Sequence, residues 1–330
     1  MGHLFGATAL ATALIAGTAG PALGQSVDAY PGKPVRVLVP YAPGGATDII
    51  ARHVTLKLSE ATGQQFIVDN RAGASGNIAL ELAARAAPDG YTLLIGNVST
   101  NAINETTFTQ SLRVVPSRDF AGVTNLIEIP HIVAATPGLP ANDIKQFIEL
   151  ARRPDSRINY GSAGIGTYPH LDMVVFAKAA GIEVTHVPFK GGAGQMVPGL
   201  ISGEVQVMFV NLASSLPQVR AGRMKALATT AAQRLPELPG VATMAEQGYP
   251  GIGTNAWNGM FAPAAVPKAV LQKIYALVAG ILQRPEMQEM LAKQLMTVTL
   301  SKSPAAYTEF VQAETRKWAR VVKENNIRIE

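Results

Sequence analysis

The sequence predicts an α/β protein of two lobes, each a parallel sheet flanked by helices. Three observations carry this prediction. The chain has 330 residues, more than one typical small domain needs and enough for two. Short β-branched runs alternate along it with helical patterns, the mark of repeated strand–helix units. Three successive strands in the first half stop in segments rich in Gly, Ser and Asn. In an open parallel sheet such ends share one edge, where ligands bind. Hydrophobic residues make up 48% of the chain and charged residues 15%, so sizeable cores can form and a disordered chain is excluded.

The first strand is Val35–Val39. It runs into Pro40-Tyr41-Ala42-Pro43-Gly44-Gly45-Ala46-Thr47-Asp48, and a helix opens near Thr47 and carries Ile49, Ile50 and Leu58. Glycines in such a turn leave backbone N–H groups uncovered. A helix start adds partial positive charge, so the turn can seat an anion such as a carboxylate. Many strand-to-helix turns carry Gly-Gly and bind nothing, so a purely structural turn stays open on this pattern alone. Asp48 falls in the first helical turn. There an acid ordinarily stabilises the helix start or holds the turn, and it can also meet a ligand.

The second strand, Phe66–Val68, ends in Asp69 to Gly76, and a helix runs from about Asn77 to Ala86. The third, Thr92–Ile95, stops at Gly96-Asn97-Val98-Ser99-Thr100. Ile127–Ala135 reads as one longer strand that could cross between the lobes.

A second series follows: helix Asp143–Arg152, strand Ile158–Tyr160, helix His170–Ala180, strand Val184–Val187, helix Met196–Ser202 and strands Val205–Phe209 and Leu227–Thr229. Arg234 to Gly253, rich in Pro and Gly, reads as a connection. Helical patterns at Val266–Leu282, Pro285–Lys293 and Pro304–Glu324 close the chain. Their prolines sit at or near first turns, where the missing N–H costs nothing. Within this series Gly161-Ser162-Ala163-Gly164-Ile165-Gly166-Thr167 again links a strand to a helix. Two such turns, one per lobe, would form opposed halves of a cleft.

Residues 1–24 stand apart. Leu4 to Gly17 is apolar and uncharged, and small residues at Ala22 and Gly24 frame a cleavage point before Gln25. This predicts a secretory signal peptide, although no Lys or Arg precedes the apolar run. A membrane anchor would need about 20 apolar residues. The chain has no cysteine, which excludes disulfides, thiol catalysis and cysteine-ligated metal. The net charge is +5. Its basic residues are scattered, without the aromatic interleaving of a nucleic-acid surface. The expected location is therefore the periplasm, with cleavage near Gly24.

Enzymatic motifs are missing. Gly-x-x-Gly-x-Gly at 161–166 is in the wrong order for a dinucleotide fingerprint, and no phosphate-binding loop, nucleophile elbow or His-Glu-x-x-His occurs. His53, His131, His170 and His186 are single and widely spaced, as packed or surface histidines are. No catalytic residue, metal ligand or cofactor is predicted.

As a set, these residues resemble the periplasmic solute-binding proteins of the tripartite tricarboxylate transporter family, often called the Bug family. The resemblance rests on Tyr30-Pro31-Gly32-Lys33-Pro34, Val39 to Asp48, Asn70 to Gly76, Pro88-Asp89-Gly90-Tyr91-Thr92-Leu93-Leu94, Gly161 to Thr167 and His186 to Gly192. The stretches Leu216 to Gly222 and Trp257 to Pro263 also fit. The resemblance implies the type II periplasmic binding protein fold, two Rossmann-like lobes joined by crossing hinge strands that close on a ligand. It implies residues 25–125 and 250–330 in one lobe and 126–249 in the other. By position it implies a small carboxylate held by Tyr41, Gly44, Gly45, Ala46, Thr47 and Asp48 on one side and by Ser162, Gly164, Gly166 and Thr167 on the other, with Asn97 and Ser99 nearby. The partners implied are that carboxylate and integral-membrane transporter subunits, and the receptor is expected to act as a monomer.

One departure bears on selectivity. The family usually has an aspartate where this chain has Val210, followed by Asn211. Valine cannot receive an ammonium group, so a non-amino organic or aromatic acid is expected. A ligand sensor feeding a signalling receptor would carry the same residues. An enzyme on this scaffold would need a nucleophile, base or metal cluster that the sequence does not offer.

Overall fold

The computed structural model describes residues 1–2, 29–325 and 327. The predicted cleavage point before Gln25 and nearly all of the signal segment lie outside them.

The first sheet is built from β1 (Val35–Val39), β2 (Phe66–Asn70), β3 (Thr92–Asn97), β4 (Phe120–Ile129), β10 (Ala256–Pro263) and β11 (Thr297–Val298), in the order β11-β4-β10-β3-β1-β2. The second holds β5 (His131–Ala135), β6 (Asn159–Ser162), β7 (Thr185–Pro188), β8 (Val207–Asn211) and β9 (Lys225–Thr229), in the order β7-β6-β8-β5-β9. Around the first sheet lie α1 (Ala46–Thr62), α2 (Asn77–Ala84), α3 (Asn104–Thr107), α4 (Pro116–Asp119), α9 (Lys268–Leu282), α10 (Pro285–Ala292) and α11 (Pro304–Glu324). The second carries α5 (Ile144–Ala151), α6 (Tyr168–Ala180), α7 (Ala193–Ile201) and α8 (Leu212–Arg220).

The central strands of each sheet are buried on both faces, so they read as continuous apolar runs rather than alternations. Val35, Val37 and Val39 enter one core with Ile50, Val54 and Leu58, while Leu38 points into the opposite core with Leu80 and Leu94. In the second sheet Val133 and Ala135 face one core, and Ile132 and Ala134 the other.

Neither sheet is purely parallel, which corrects the sequence-based expectation. β5 runs antiparallel to β8 and β9, and β10 antiparallel to β3 and β4. These are the two strands that arrive from the opposite lobe, and they run against the strands they join. The segment 127–135 is likewise two strands in two sheets. Pro130 separates β4 from β5 and has no N–H to donate to either ladder.

The return path, 230–255, is a series of turns, as its Pro and Gly content predicts. It meets the outgoing path beside His131. Thr230 N donates to His131 O at 2.8 Å, and His131 N donates to Thr230 Oγ1 at 2.9 Å. Among the described residues no helix is long and apolar enough to cross a membrane, and no group of three His, Asp or Glu is placed to hold a metal ion.

Candidate functional site

The lobes meet over a pocket, part of it open to solvent. The first lobe lines it with Tyr41, Gly45, Ala46, Thr47, Asn97 and Asn258. The crossing strands add Ile129, His131 and Ala256, and the second lobe adds Ala163, Tyr168, Pro169, Gly192, Ala193, Met196, Phe209, Val210 and Asn211.

The start of α1 is built as the sequence predicts. Gly44 takes φ +92°, a conformation that a side chain would strain, and turns the chain into the helix. Gly45 is the N-cap with ordinary φ −83°, and no side chain caps the helix. The first N–H groups are therefore left without a side-chain partner at the pocket. Asp48 does not line the pocket. It accepts from Gly44 N at 3.0 Å and Asn70 Nδ2 at 2.9 Å, and pairs with Arg52 at 2.9 Å. Burial pushes its carboxyl up, but Arg52, Gly44 and Asn70 outweigh burial and hold it below the ordinary carboxylate range. Asp48 therefore holds the turn in shape.

Behind this helix start lies a buried polar chain. Asn97 Nδ2 donates to Thr47 Oγ1 at 3.4 Å, and Thr47 Oγ1 donates to Asn258 Oδ1 at 2.7 Å. Tyr41 Oη donates to Asn97 Oδ1 at 3.2 Å. Burial pushes the Tyr41 phenol up to about 12, against the opposing pull of Asn97 and Ser99, so it stays protonated.

The second glycine turn is placed differently. Ser162 Oγ lies 3.1 Å from Gly164 N and 2.6 Å from His186 Nε2, Thr167 Oγ1 donates to Gly164 O at 2.7 Å, and Gly166 N donates to His170 Nδ1 at 3.1 Å. The turn thus spends its polar groups on itself. His170 and His186 stack with centroids 4.2 Å apart. Burial lowers both, to about 3 and about 4, with His186 adding to the effect on His170, so both rings are neutral.

The outward contacts of this turn grip the first lobe. Ser75 Oγ donates to Ile165 O at 2.7 Å, and Tyr168 N donates to Ser99 Oγ at 3.0 Å. Behind it, Asp172 accepts from Thr254 N at 3.0 Å and Thr254 Oγ1 at 2.8 Å, which ties α6 to the returning segment. Of the predicted site residues, Gly44, Asp48, Ser99, Ser162, Gly164, Gly166 and Thr167 are not in the pocket wall, whereas Tyr41, Gly45, Ala46, Thr47, Asn97, Val210 and Asn211 are.

A third glycine turn faces the first. Gly191-Gly192 follows β7, and Gly192, at φ +64°, opens α7 without a side-chain cap. Ala42 N donates to Gly191 O at 3.2 Å across the lobes. A Cβ on Gly45 would stand 3.7 Å from Ala193 Cβ and 4.0 Å from Gly194 N. Two uncapped helix starts, those of α1 and α7, therefore meet at one pocket. The sequence signal was present, because 186–194 repeats the strand–Gly-Gly–helix pattern of 35–47.

The wall is neutral. Its lining residues include no Asp, Glu, Lys or Arg. Burial pushes His131 down to about 3, leaving the ring uncharged. Asn211 Oδ1 accepts from Ser214 N at 2.8 Å and caps α8, and Val210 is buried beside it.

A family model described as "Tripartite tricarboxylate transporter family receptor" matches residues 50–327. The R. palustris protein Rpa4515, solved with adipate, is similar at TM-score 0.85 and 33% identity, covering 90% of this chain and 98% of that one. MatC from Rhodopseudomonas palustris, with bound malate, is similar at TM-score 0.83 and 31% identity, covering 89% of this chain and all of that one (100%). The periplasmic binding protein BugD is similar at TM-score 0.85 and 29% identity, covering 91% of this chain and 99% of that one.

Proposed function

Since the chain belongs to the tripartite tricarboxylate transporter receptor family, which includes the Bug proteins, we propose that it is an exported receptor for a small non-amino carboxylate. It captures the acid between its lobes in the periplasm and delivers it, as a monomer, to integral-membrane transporter subunits. The first lobe is taken to run through β4 to Ile129 and to resume with β10 at Ala256, with the second lobe between them. The observation that carries this reading is the meeting of two uncapped helix starts, at Gly45-Ala46-Thr47 and Gly192-Ala193, over a pocket with no charged side chain. Backbone N–H groups and helix dipoles there offset one negative charge. Adipate and malate on two relatives support a carboxylate.

Val210 gives the pocket no acid to pair an ammonium, which supports the exclusion of amino acids. Closure selects the bound form from an open–closed equilibrium, and no step breaks a bond. Titration calorimetry against mono-, di- and aromatic carboxylates and their α-amino counterparts tests this. Saturable binding of at least one non-amino acid, with weaker binding of its amino counterpart, is expected. Binding of none, or preference for amino forms, overturns it.

A further inference from the structure

Asn211 extends this reading from the carboxylate to the atom beside it. It ends β8 and caps α8, its Oδ1 accepting from Ser214 N at 2.8 Å. A backbone N–H can only donate, so the atom facing Ser214 is the oxygen and the other is the amide nitrogen. The capping bond therefore fixes which way the side chain presents its donor. Among the described residues Nδ2 donates to no group, yet it is not sealed in protein as the unpartnered Asn101 Nδ2 is. The open space beside it is the pocket, which Asn211 lines.

This cap also lies close to the anion seat. Ser214 Oγ, in the first turn of α8, donates across the lobes to Gly44 O at 3.3 Å, one residue before the cap of α1. The seat itself holds enough donors for a carboxylate. Ala46 and Thr47 open α1, and Ala193 and Gly194 open α7. Their N–H groups precede the first bonds that close each helix, from Ile49 N to Gly45 O and from Gln195 N to Gly192 O. A carboxylate offers about four lone-pair sites, which these groups match in number. The Asn211 nitrogen is then left for a neighbouring acceptor. A carbonyl there can only accept and would have a partner, whereas an ammonium would set donor against donor.

We propose that Asn211 is a specificity-determining residue whose Nδ2 donates to a carbonyl oxygen on the carbon next to the bound carboxylate. The ligand class is then a 2-oxo acid. This rests on the carboxylate reading of the pocket.

The test uses three acid pairs that differ only at the carbon next to the carboxylate: butanoate and 2-oxobutanoate, 3-methylbutanoate and 3-methyl-2-oxobutanoate, and phenylacetate and phenylglyoxylate. Calorimetry on the full mature chain should show the oxo member of at least one pair binding about tenfold tighter, the scale of one net hydrogen bond. In Asn211→Ser that ratio should collapse toward one, while the thermal midpoint stays near wild type because serine also caps a helix. Asn211→Asp keeps a capping oxygen as well and should collapse the ratio in the same way. Acids that bind without an oxo preference, or a preference that survives in either variant, overturn the proposal while leaving the carboxylate reading in place. If none of the six acids binds, the carboxylate reading fails and this proposal falls with it.

Discussion

The turns at 43–48 and 161–167 are near twins in sequence and differ in the structure. Both link a strand to a helix, both contain glycines with positive φ, and both offer a hydroxyl. The first leaves its helix start open at the pocket. The second spends Ser162, Thr167 and the Gly166 N–H on contacts within 162–186, and uses the Ile165 carbonyl and the Tyr168 N–H to hold the opposite lobe. Glycine content therefore does not identify an anion seat. What matters is whether the turn's own side chains consume its donors, and which way the turn faces.

The sharpest way to separate seat from latch is to place a charge beside the seat. Val210→Asp would set a second anion in the closed pocket, where an unpaired buried charge costs on the order of 3–5 kcal/mol. The best non-amino acid should bind at least about a hundredfold more weakly, and its amino counterpart should lose less or gain. A thermal-shift screen of wild type and variant against matched pairs reads this directly. An unchanged ranking would place Val210 away from the ligand.

Gly45→Val comes next. At φ −83° the backbone accepts valine, so the fold should persist. Its branches would press on Ala193, just beyond an ordinary 3.7 Å Cβ contact. Overpacking of this kind costs roughly 1–3 kcal/mol, up to about a hundredfold in affinity. Calorimetric affinity compared with the thermal midpoint decides the matter, and a lost fold or an unmoved affinity would count against the seat.

Ser75→Ala tests the latch. It removes the bond to the Ile165 carbonyl, worth about 1 kcal/mol, and should weaken all ligands about fivefold without reordering them. A change in ranking would show that the second turn reads the ligand after all.

Stability should also depend on pH through Asp172. Burial raises the Asp172 carboxyl to about 7, against the pull of Thr254 and Lys317. A carboxyl whose pKa is higher in the folded than in the unfolded state binds more protons when folded. Stability is then fullest below the ordinary carboxylate pKa, falls as pH rises toward about 7, and levels off above. Asp172→Asn should flatten this slope by a few degrees between about pH 5 and 8, the scale of roughly 3 kcal/mol at about 1.4 kcal/mol per pKa unit. An identical slope in the variant would remove Asp172 from the linkage.

Much of this architecture was legible in the sequence because its signals are local. The run Val35–Val39, the prolines that open α10 and α11, and Asp143, which caps α5 by accepting from Gln146 N, each announce themselves within a few residues. Tyr41, Gly45 and Thr47 were legible because one turn carries all three.

What the sequence hid depends on topology. β10 carries Asn258-Gly259 at its centre, which breaks the strand pattern, yet Asn258 pairs across the sheet with Asn97 and completes the polar chain behind the seat. α8 contains Pro217 and two serines, which oppose helix propensity locally. His131 reads as one more packed histidine, and it is packed. Its neighbour Tyr168 is set by the packing of α6 against the second sheet, 37 residues away in sequence.

The uncharged pocket wall has a consequence for ionic strength. Fixed dipoles inside a closed cleft are reached poorly by mobile ions, whereas exposed charges about 8–10 Å apart are largely screened at physiological salt. Added salt should therefore slow the approach of an anion toward the +5 chain more than it hastens the anion's release. A loaded receptor also gains the ligand's charge with no counterion beside it. Loaded and empty forms should then separate on an ion-exchange matrix, even with their surfaces otherwise alike.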